Sequence, residues 1–579
     1  MCGIFCSISK KSSDHVASEL HGTLKTLLHN RGPDVQHTLA IDNLLLAGNV
    51  LWQQGATPQQ QPIVNEHLVL LFNGDLYNLE AEKEATQSDS TWLMEQLIKC
   101  HTEDELLSLF RRLEGPYCLL LYNSLEKVLY FCRDALGRNS LIIEREELQS
   151  QSQSIRLLST SCHLQQTAAM ELPPLGLYKL QLNALQSCVL HPWQELNEEK
   201  TQQLQQLDVA MGWRTNVACP IAPEWLSSTS SSTVSSSYDL YALVASAADL
   251  QQQQQQLYEH LLSLEPLQRT LQEFAARLQQ SVAQRVQQTA PVCGRCIHRD
   301  KCCEHAKICV LFSGGIDCSI LALLADRFVP PNEPIELINV AFERVATAAA
   351  TSAGDELLWQ VPDRQTAEQS HRELQRLCPQ RQWKLLEVNV SREELQQQLK
   401  CHIHRLIYPL QTVLDECLGS AFWFAANANG GQSHARVALL GSGADELFGG
   451  YTRHRNAHRR GGNEALQLEL ERDWQRIPAR NLARDDRVIA DCGKTARAPF
   501  IEERVAQFVR SLTPQQRCCY TLPEGVGDKL LLRLYGYSLG LRDAVLLKKR
   551  AIQFGSRIAD KRQQANQISE YLRLDKLQI

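Results

Sequence analysis

Cys2 stands directly behind the initiator methionine in "MCGIFCSISK". Once Met1 is trimmed, one residue carries both a thiol and a free α-amine, a nucleophile with its own base. An α-amine titrates near ~7.7–8.0, which suits it to take a proton at neutral pH. A second set of residues has the pattern of a phosphate site. In "CVLFSGGIDCSILALLAD" (309–326) a strand-like run enters Ser313, Gly314, Gly315, Ile316, Asp317, Cys318 and Ser319 and then an apolar helix. Glycines let the backbone approach a ligand closely, and a helix start offers unpaired N–H groups to phosphate oxygens. No Gly-Lys-Ser follows, so this is not a Walker loop. A plain capped strand-to-helix turn is the simpler alternative. A second glycine-flanked strand end, "LLGSGADELFGGYTRHR" (439–455), weighs against it. Ligands of parallel α/β sheets sit at the carboxyl ends of strands, so both loops are expected to face one pocket. Asp317 and Asp445 there offer hard oxygen ligands for Mg2+ on a nucleotide.

The elements that must position these groups follow from periodicity. "LVLLFNGDLYN" (68–78) and "PYCLLLYNSLEKVLYFCRDALG" (116–137) read as strands, the second as a hairpin turning near Asn123 and Ser124. "DSTWLMEQLIKC" between them has helical spacing, so the first part of the chain is a mixed domain dominated by antiparallel strands. In "GIFCSIS" strand alternation turns Ile4, Cys6 and Ile8 to one face, making Cys6 a small core residue. Serine-rich and glutamine-rich tracts between 191 and about 255 bury little, and read as a linker with some local structure. Leu267, Leu271, Phe274, Leu278 and Val282 then share one helix face. Beyond them "ICVLFSGG", "IELINVAF", "WKLLEVNV" and "RVALLGSG" alternate with helical stretches, which predicts a parallel sheet covered by helices. Glu464, Leu466, Leu468 and Leu470 read as part of an amphipathic helix over the pocket, serving packing rather than chemistry.

The motifs, in this order, resemble the glutamine-dependent asparagine synthetases. "MCGIF", "NRGPD" (30–34), "NGDLYN" (73–78) and "RDALGR" (133–138) are similar to the class II glutamine amidotransferase domain of that family. The loop at 313–319, "GSGADELFGGY" and "TARAPFIEERV" are similar to its synthetase domain, an ATP-pyrophosphatase (PP-loop) fold. The resemblance spans about 1–190 and 260–560 and marks the chain as a divergent relative. It implies an α+β N-terminal-nucleophile domain, an αββα sandwich, at 2–190. A Ser/Gln-rich linker at 191–260 would follow. An α/β ATP-pyrophosphatase domain with a parallel sheet and helical C-terminal part would occupy 261–560, with a tail at 561–579.

By the same resemblance, Cys2 attacks the side-chain amide of glutamine, its α-amine shuttling the proton, while Asn73 and Gly74 N–H stabilise the oxyanion. Asp75 and Asp89 would bind glutamine, Asp89 through its α-amine. Phe312, Ser313, Gly314, Gly315, Asp317, Ser319, Ala341, Gly441 and Lys549 would bind ATP, with Asp317 and Asp445 on Mg2+. ATP would activate aspartate as an acyl-adenylate that ammonia resolves to asparagine and AMP.

Five positions depart from the family pattern. Val50 falls where the family has an arginine that clamps glutamine's α-carboxylate, and Asp75 replaces a glutamate. Ser442 falls where a glutamate manages ammonia's proton, and serine cannot take that proton at neutral pH. Ala551 stands at an expected lysine, with Lys548, Lys549 and Arg550 just upstream as substitutes, and Cys318 replaces the first loop serine. These departures keep two alternatives open: a repurposed ATP-binding scaffold, and an amide ligase with another acceptor.

The bulk numbers fit. At 579 residues, 44% hydrophobic and 21% charged, this is a soluble multidomain composition. A net charge of -6 gives no bulk reason for nucleic-acid or membrane binding, and no run is apolar enough to span a bilayer. The absence of a secretory signal makes reduced thiols and a cytoplasmic setting the expectation for the 20 cysteines. Cys293, Cys296, Cys302, Cys303 and His305, in "CGRCIHRDKCCEH", have the ligand types of a zinc site, though the spacing matches no standard finger closely. The segment falls where the family has only a short connection, and reduced surface cysteines are the alternative reading.

Overall fold

The computed structural model describes all residues except 1, 10–19, 21, 80, 81, 85, 148–152, 163–166, 228–237, 298–302, 344–357, 560–563 and 573–579. The first domain carries β1 (Gly3–Ser9), β2 (Val35–Ile41), β3 (Leu44–Val50), β4 (Ile63–Asn65), β5 (Leu68–Gly74), β6 (Tyr117–Asn123) and β7 (Val128–Arg133). It continues through β8 (Ile142–Glu147), β9 (Gln153–Leu158), β10 (Thr167–Glu171), β11 (Gly176–Gln181), β12 (Ser187–Pro192) and β13 (Arg214–Val217). Two sheets form, in the orders β10-β8-β9-β1-β3-β2 and β13-β12-β11-β7-β6-β5-β4.

Alternation along the strands explains why the sheets stack. Ile4, Cys6 and Ile8 face Val69, Leu71, Leu120 and Phe131 of the other sheet in one core. Phe5 points the opposite way, onto Leu24 and Leu28 of the helix Thr23–Arg31. Leu68, Leu70 and Phe72 likewise turn outward, beneath Trp92, Leu93 and Leu97 of the helix Asp89–Ile98. The result is the expected αββα sandwich.

Residues 191–260, expected as a linker with some local structure, carry helices that join both cores. Leu204, Leu207 and Met211, on the helix Glu198–Met211, belong to the sandwich core. Leu240 and Val244, then Leu257, Tyr258 and Leu261 just after the glutamine run, belong to the core of the second domain. The helix Glu265–Gln287 buries Leu267, Leu271, Phe274, Leu278 and Val282 there, on the expected face.

The second domain is built on β14 (Ile308–Leu311), β15 (Ile335–Phe342), β16 (Trp383–Val390), β17 (Val437–Leu439) and β18 (Thr495–Arg497). Their order is β16-β15-β14-β17-β18, and every pair is parallel. Helices cover both faces, which is why β14, β15 and β17 are apolar nearly throughout. Leu466 and Leu470 pack into a small cluster with Cys518 and Tyr520, while Leu468 is exposed. From the expected tail, Gln567 O accepts the Val413 N–H at 2.8 Å and Leu572 is buried against the second domain. Among the described residues, no helix is long and apolar enough to cross a membrane.

Buried ion pairs tie the domains together. Arg31 reaches Asp486 at 2.9 Å, Arg138 reaches Glu503, and Arg436 reaches Asp34. The motifs "NRGPD" and "RDALGR" thus hold the two domains in register as well as shaping the first site.

Candidate active sites

Cys2 lies at the start of β1, 8% exposed, on the floor of a cleft of about 440 Å³. Asn73 ends the buried part of β5, and its Oδ1 accepts the Cys2 main-chain N–H at 2.6 Å. Its Nδ2 lies 3.6 Å from Cys118 Sγ, so the carbonyl side of the amide faces Cys2. Asn139, just past "RDALGR", donates to Asn73 O at 2.8 Å and fixes that strand end. Arg31 Nε donates to Cys2 O at 3.3 Å. Gly74 lines the cleft, where a Cβ would come within 2.3 Å of Pro116 O, so no larger residue fits. Burial pushes the Cys2 thiol up from its ordinary value.

Asp75 and Asp89 both line this cleft, and both already have partners. Arg497, from the C-terminal end of β18, grips Asp75 with two hydrogen bonds of 3.0 Å. Tyr77 and Gln54 donate to the same carboxylate at 3.1 and 3.0 Å. Burial alone would raise the Asp75 carboxyl, but the Arg497 charge, the nearby chain terminus and the hydrogen bonds from Arg497 and Gln54 together outweigh it, and the net displacement is downward. Asp89 accepts the Leu76 N–H at 2.7 Å and pairs with Lys83. Burial there outweighs Lys83, and the Asp89 carboxyl is raised. Val50, at the end of β3, lines the cleft, and among the described lining residues there is no lysine or arginine. Gln61 was not foreseen; its Nε2 lies 3.9 Å from Cys2 Sγ and its Oε1 accepts the Phe72 N–H at 2.7 Å.

The second site opens at the carboxyl ends of β14 and β17, as expected for a parallel sheet. Gly314 has φ +76°, and a Cβ on it would lie 2.3 Å from Thr366 C. The helix Pro362–Leu377 braces the loop, Thr366 Oγ1 donating to Ser313 O at 2.6 Å and Ser370 Oγ to Gly314 O at 2.7 Å. Ser313, Gly315, Asp317, Gly441, Ser442, Asp445, Lys549 and Ala551 line a cavity of about 1430 Å³. Ser319 is buried beneath the loop, and Phe312 is buried beside an adjoining cavity of about 430 Å³. Ala341 is fully buried in β15, two residues past Asn339, which lines that same cavity.

Asp317 and Asp445 converge on a single point. Lys529 Nζ lies 2.9 and 2.7 Å from the two oxygens of Asp317 and 2.6 Å from Asp445 Oδ1. Lys549 Nζ pairs with the other Asp445 oxygen at 2.5 Å. These cations hold the Asp445 carboxyl well below the usual carboxylate range, against the effect of burial. Two carboxylates are hard oxygen donors of the kind a divalent ion takes, and Mg2+ held by this pair would have to displace the Lys529 ammonium from the point where they meet. Glu446, which follows, accepts from Tyr451 at 2.8 Å. Burial, reinforced by the neighbouring Asp445 charge, raises its carboxyl to about 7. Arg476, Arg480 and Arg550 also line the cavity, together with the acidic Asp473 and Asp485. Lys529 and Glu446 were not singled out from the sequence; Glu446 sits inside a recognised motif, whereas "GDKLLLR" around Lys529 carries no comparable signal.

Comparison with known proteins agrees with this two-site architecture. Residues 1–210 match the model of the glutamine amidotransferase domain, and residues 299–467 that of asparagine synthase. An asparagine synthetase domain-containing protein of Drosophila melanogaster is 52% identical over 99% of this chain and 100% of its own length. The Homo sapiens asparagine synthetase domain-containing protein 1 is 34% identical over 96% of this chain and 95% of its own. One from Saccharomyces cerevisiae is 28% identical, covering 91% and 87%. The chain therefore belongs to the asparagine synthetase domain-containing proteins, which join a glutamine amidotransferase domain to an asparagine synthase domain.

Proposed function

We propose that the protein is a glutamine-dependent, ATP-consuming amide ligase of the asparagine synthetase type, with aspartate as acceptor. The observation that carries this reading is the convergence of Asp317 and Asp445, from two glycine-flanked loops, on a cavity at the sheet's carboxyl edge. Ser313, Gly314, Gly315 and Ser319 would cradle the phosphates, with Phe312, Ala341, Gly441 and Lys549 completing the ATP site. Mg2+ between Asp317 and Asp445 would neutralise phosphate charge. Aspartate, with two carboxylates, suits walls bearing Arg476, Arg480 and Arg550.

Cys2 Sγ attacks the glutamine amide, ammonia leaves, and water releases glutamate from the thioester. The α-amine of the trimmed chain carries the proton and Gly74 N–H holds the oxyanion; Asn73, whose Oδ1 faces Cys2, would join it only by turning its Nδ2 inward. In the second site the carboxylate of aspartate takes AMP from ATP and pyrophosphate departs. Ammonia then displaces AMP to give asparagine. Glu446, raised to about 7, is suited to take ammonia's proton in place of the glutamate missing at Ser442.

A second reading, an ATP-binding scaffold with a weakened glutaminase, is favoured by the pairing of Asp75 with Arg497 and by Val50 in the cleft. Intact mass of the N-terminus and labelling of Cys2 by an electrophilic glutamine analogue, alongside AMP release from aspartate and Mg-ATP, separate the two. Loss of Met1, Cys2 labelling and AMP release support the ligase. Nucleotide binding without AMP release supports the scaffold.

A further inference from the structure

A cysteine and histidine cluster lies apart from both sites. The ligand atoms of Cys293, Cys296, Cys303 and His305 all lie within 4.8 Å of one another. His305 Nδ1 is 3.5 Å from both Cys293 Sγ and Cys296 Sγ. In a tetrahedral zinc site with Zn–S of ~2.3 Å and Zn–N of ~2.0–2.1 Å, a sulfur and a nitrogen ligand are about 3.6 Å apart. The Cys293 N–H donates to Cys303 Sγ at 3.3 Å, and a turn from Cys296 N–H to Cys293 O at 3.1 Å brings the first two thiols together. Cys293 and Cys296 are buried with Val292 against Trp52, so the alternative of reduced surface cysteines does not describe them. Cys302, also expected among the ligands, lies outside the described residues.

We propose that these four side chains bind one structural zinc ion in a Cys3His site. Three thiolates and an imidazole close a tetrahedron, and a closed tetrahedron leaves no position for substrate, which is the mark of a structural site. The location gives it a task. His305 precedes β14, the strand that ends in the 313–319 loop, by three residues. Gly294 N–H donates to His434 O at 3.0 Å, and the rings of His305 and His434 meet edge to face. Trp52 belongs to the wall of the Cys2 cleft; its N–H donates to Asp34 at 2.7 Å and its carbonyl accepts from Arg436. The ion thus fastens the cleft wall to the root of the phosphate-binding strand.

Full-length protein purified without chelator and analysed by plasma mass spectrometry is expected to hold about one zinc per chain. Replacement of zinc by Co2+ is expected to give the visible bands of a tetrahedral thiolate site. Cys293→Ser/Cys296→Ser should lose the metal, while Cys219→Ser, at an exposed cysteine, should keep it. Far less than one zinc in the wild-type protein together with no cobalt bands overturns the proposal, whether or not the double variant folds. Full zinc retention by the double variant overturns it as well.

Discussion

Asp75 and Arg497, separated by 422 residues, form a two-pronged ion pair with both hydrogen bonds at 3.0 Å. Asp75 belongs to the Cys2 cleft, and Arg497 ends the last strand of the parallel sheet. Arg497 also donates to Thr289 Oγ1 at 3.2 Å, so one guanidinium joins the cleft to the segment after the helix Glu265–Gln287. The pair ties the Cys2 cleft to the edge strand of the parallel sheet and leaves Asp75, expected among the glutamine-binding residues, already engaged.

Breaking this pair leaves a buried charge without a partner. Arg497→Met is expected to lower stability by about 3–5 kcal/mol, measured by urea denaturation. Asp75→Asn combined with Arg497→Met should recover part of that loss, because the stranded carboxylate is then gone. An unchanged denaturation midpoint in the single variant would show that the pair contributes nothing.

Glutamine recognition is expected to be weak because no lysine or arginine is among the described residues that line the cleft. Introducing one by Val50→Arg should lower the glutaminase KM about 10–100-fold, from ~1.5–3 kcal/mol of charged hydrogen bonding. The check is steady-state kinetics on a variant whose melting temperature matches the wild type. An unchanged KM would mean that glutamine is held by other groups.

Nucleotide binding should depend on the converging aspartates. Mg-ATP is expected to raise the melting temperature of the wild-type protein, by mass action on the folded state. Asp445→Asn should remove most of that increase. Persistence of the full shift would place the nucleotide elsewhere.

The Glu446 carboxyl, raised to about 7, gives two linked pH effects. As a base it acts only when ionised, so amide formation should rise between pH 6 and 8, and Glu446→Gln should abolish that rise along with most of the amide-forming rate. For stability the sign is opposite. The folded state holds the proton more tightly than the unfolded chain does, so the contribution is fully present below the ordinary carboxyl range and is lost as pH rises through 7. Asp363, raised to about 7 by burial, acts in the same direction. Thermal melts across pH 5–8 in the wild type and in Glu446→Gln test the second effect.

Local patterns were legible in the sequence and distant partners were not. Period-two alternation in "GIFCSIS" set the orientation of Ile4, Cys6 and Ile8, because a strand's side chains obey that period whatever the neighbours are. The face of the helix Glu265–Gln287 followed from spacing for the same reason. The anchoring of 240–261 was hidden, since a few apolar residues sit among serine and glutamine tracts whose composition argues for solvent. Lys529 was equally hidden: it is 212 residues from Asp317, and its neighbours carry no pattern that marks a buried lysine. Arg497 lay inside a motif, "TARAPFIEERV", but only the fold shows that it reaches Asp75. The raised carboxyl of Glu446 depends on burial, which no local spacing reveals.

In the proposed reaction Cys2 releases the amide nitrogen of glutamine as ammonia, and a carboxylate activated by ATP takes that ammonia up. The most direct test of this transfer is to supply glutamine labelled in the amide nitrogen together with aspartate and Mg-ATP, and to follow the label by mass spectrometry. The account predicts labelled asparagine and AMP in equal amounts, with Cys2→Ala losing the label transfer but still forming asparagine from free ammonia. No asparagine from either nitrogen source, in protein shown to bind Mg-ATP and to lack Met1, would contradict it.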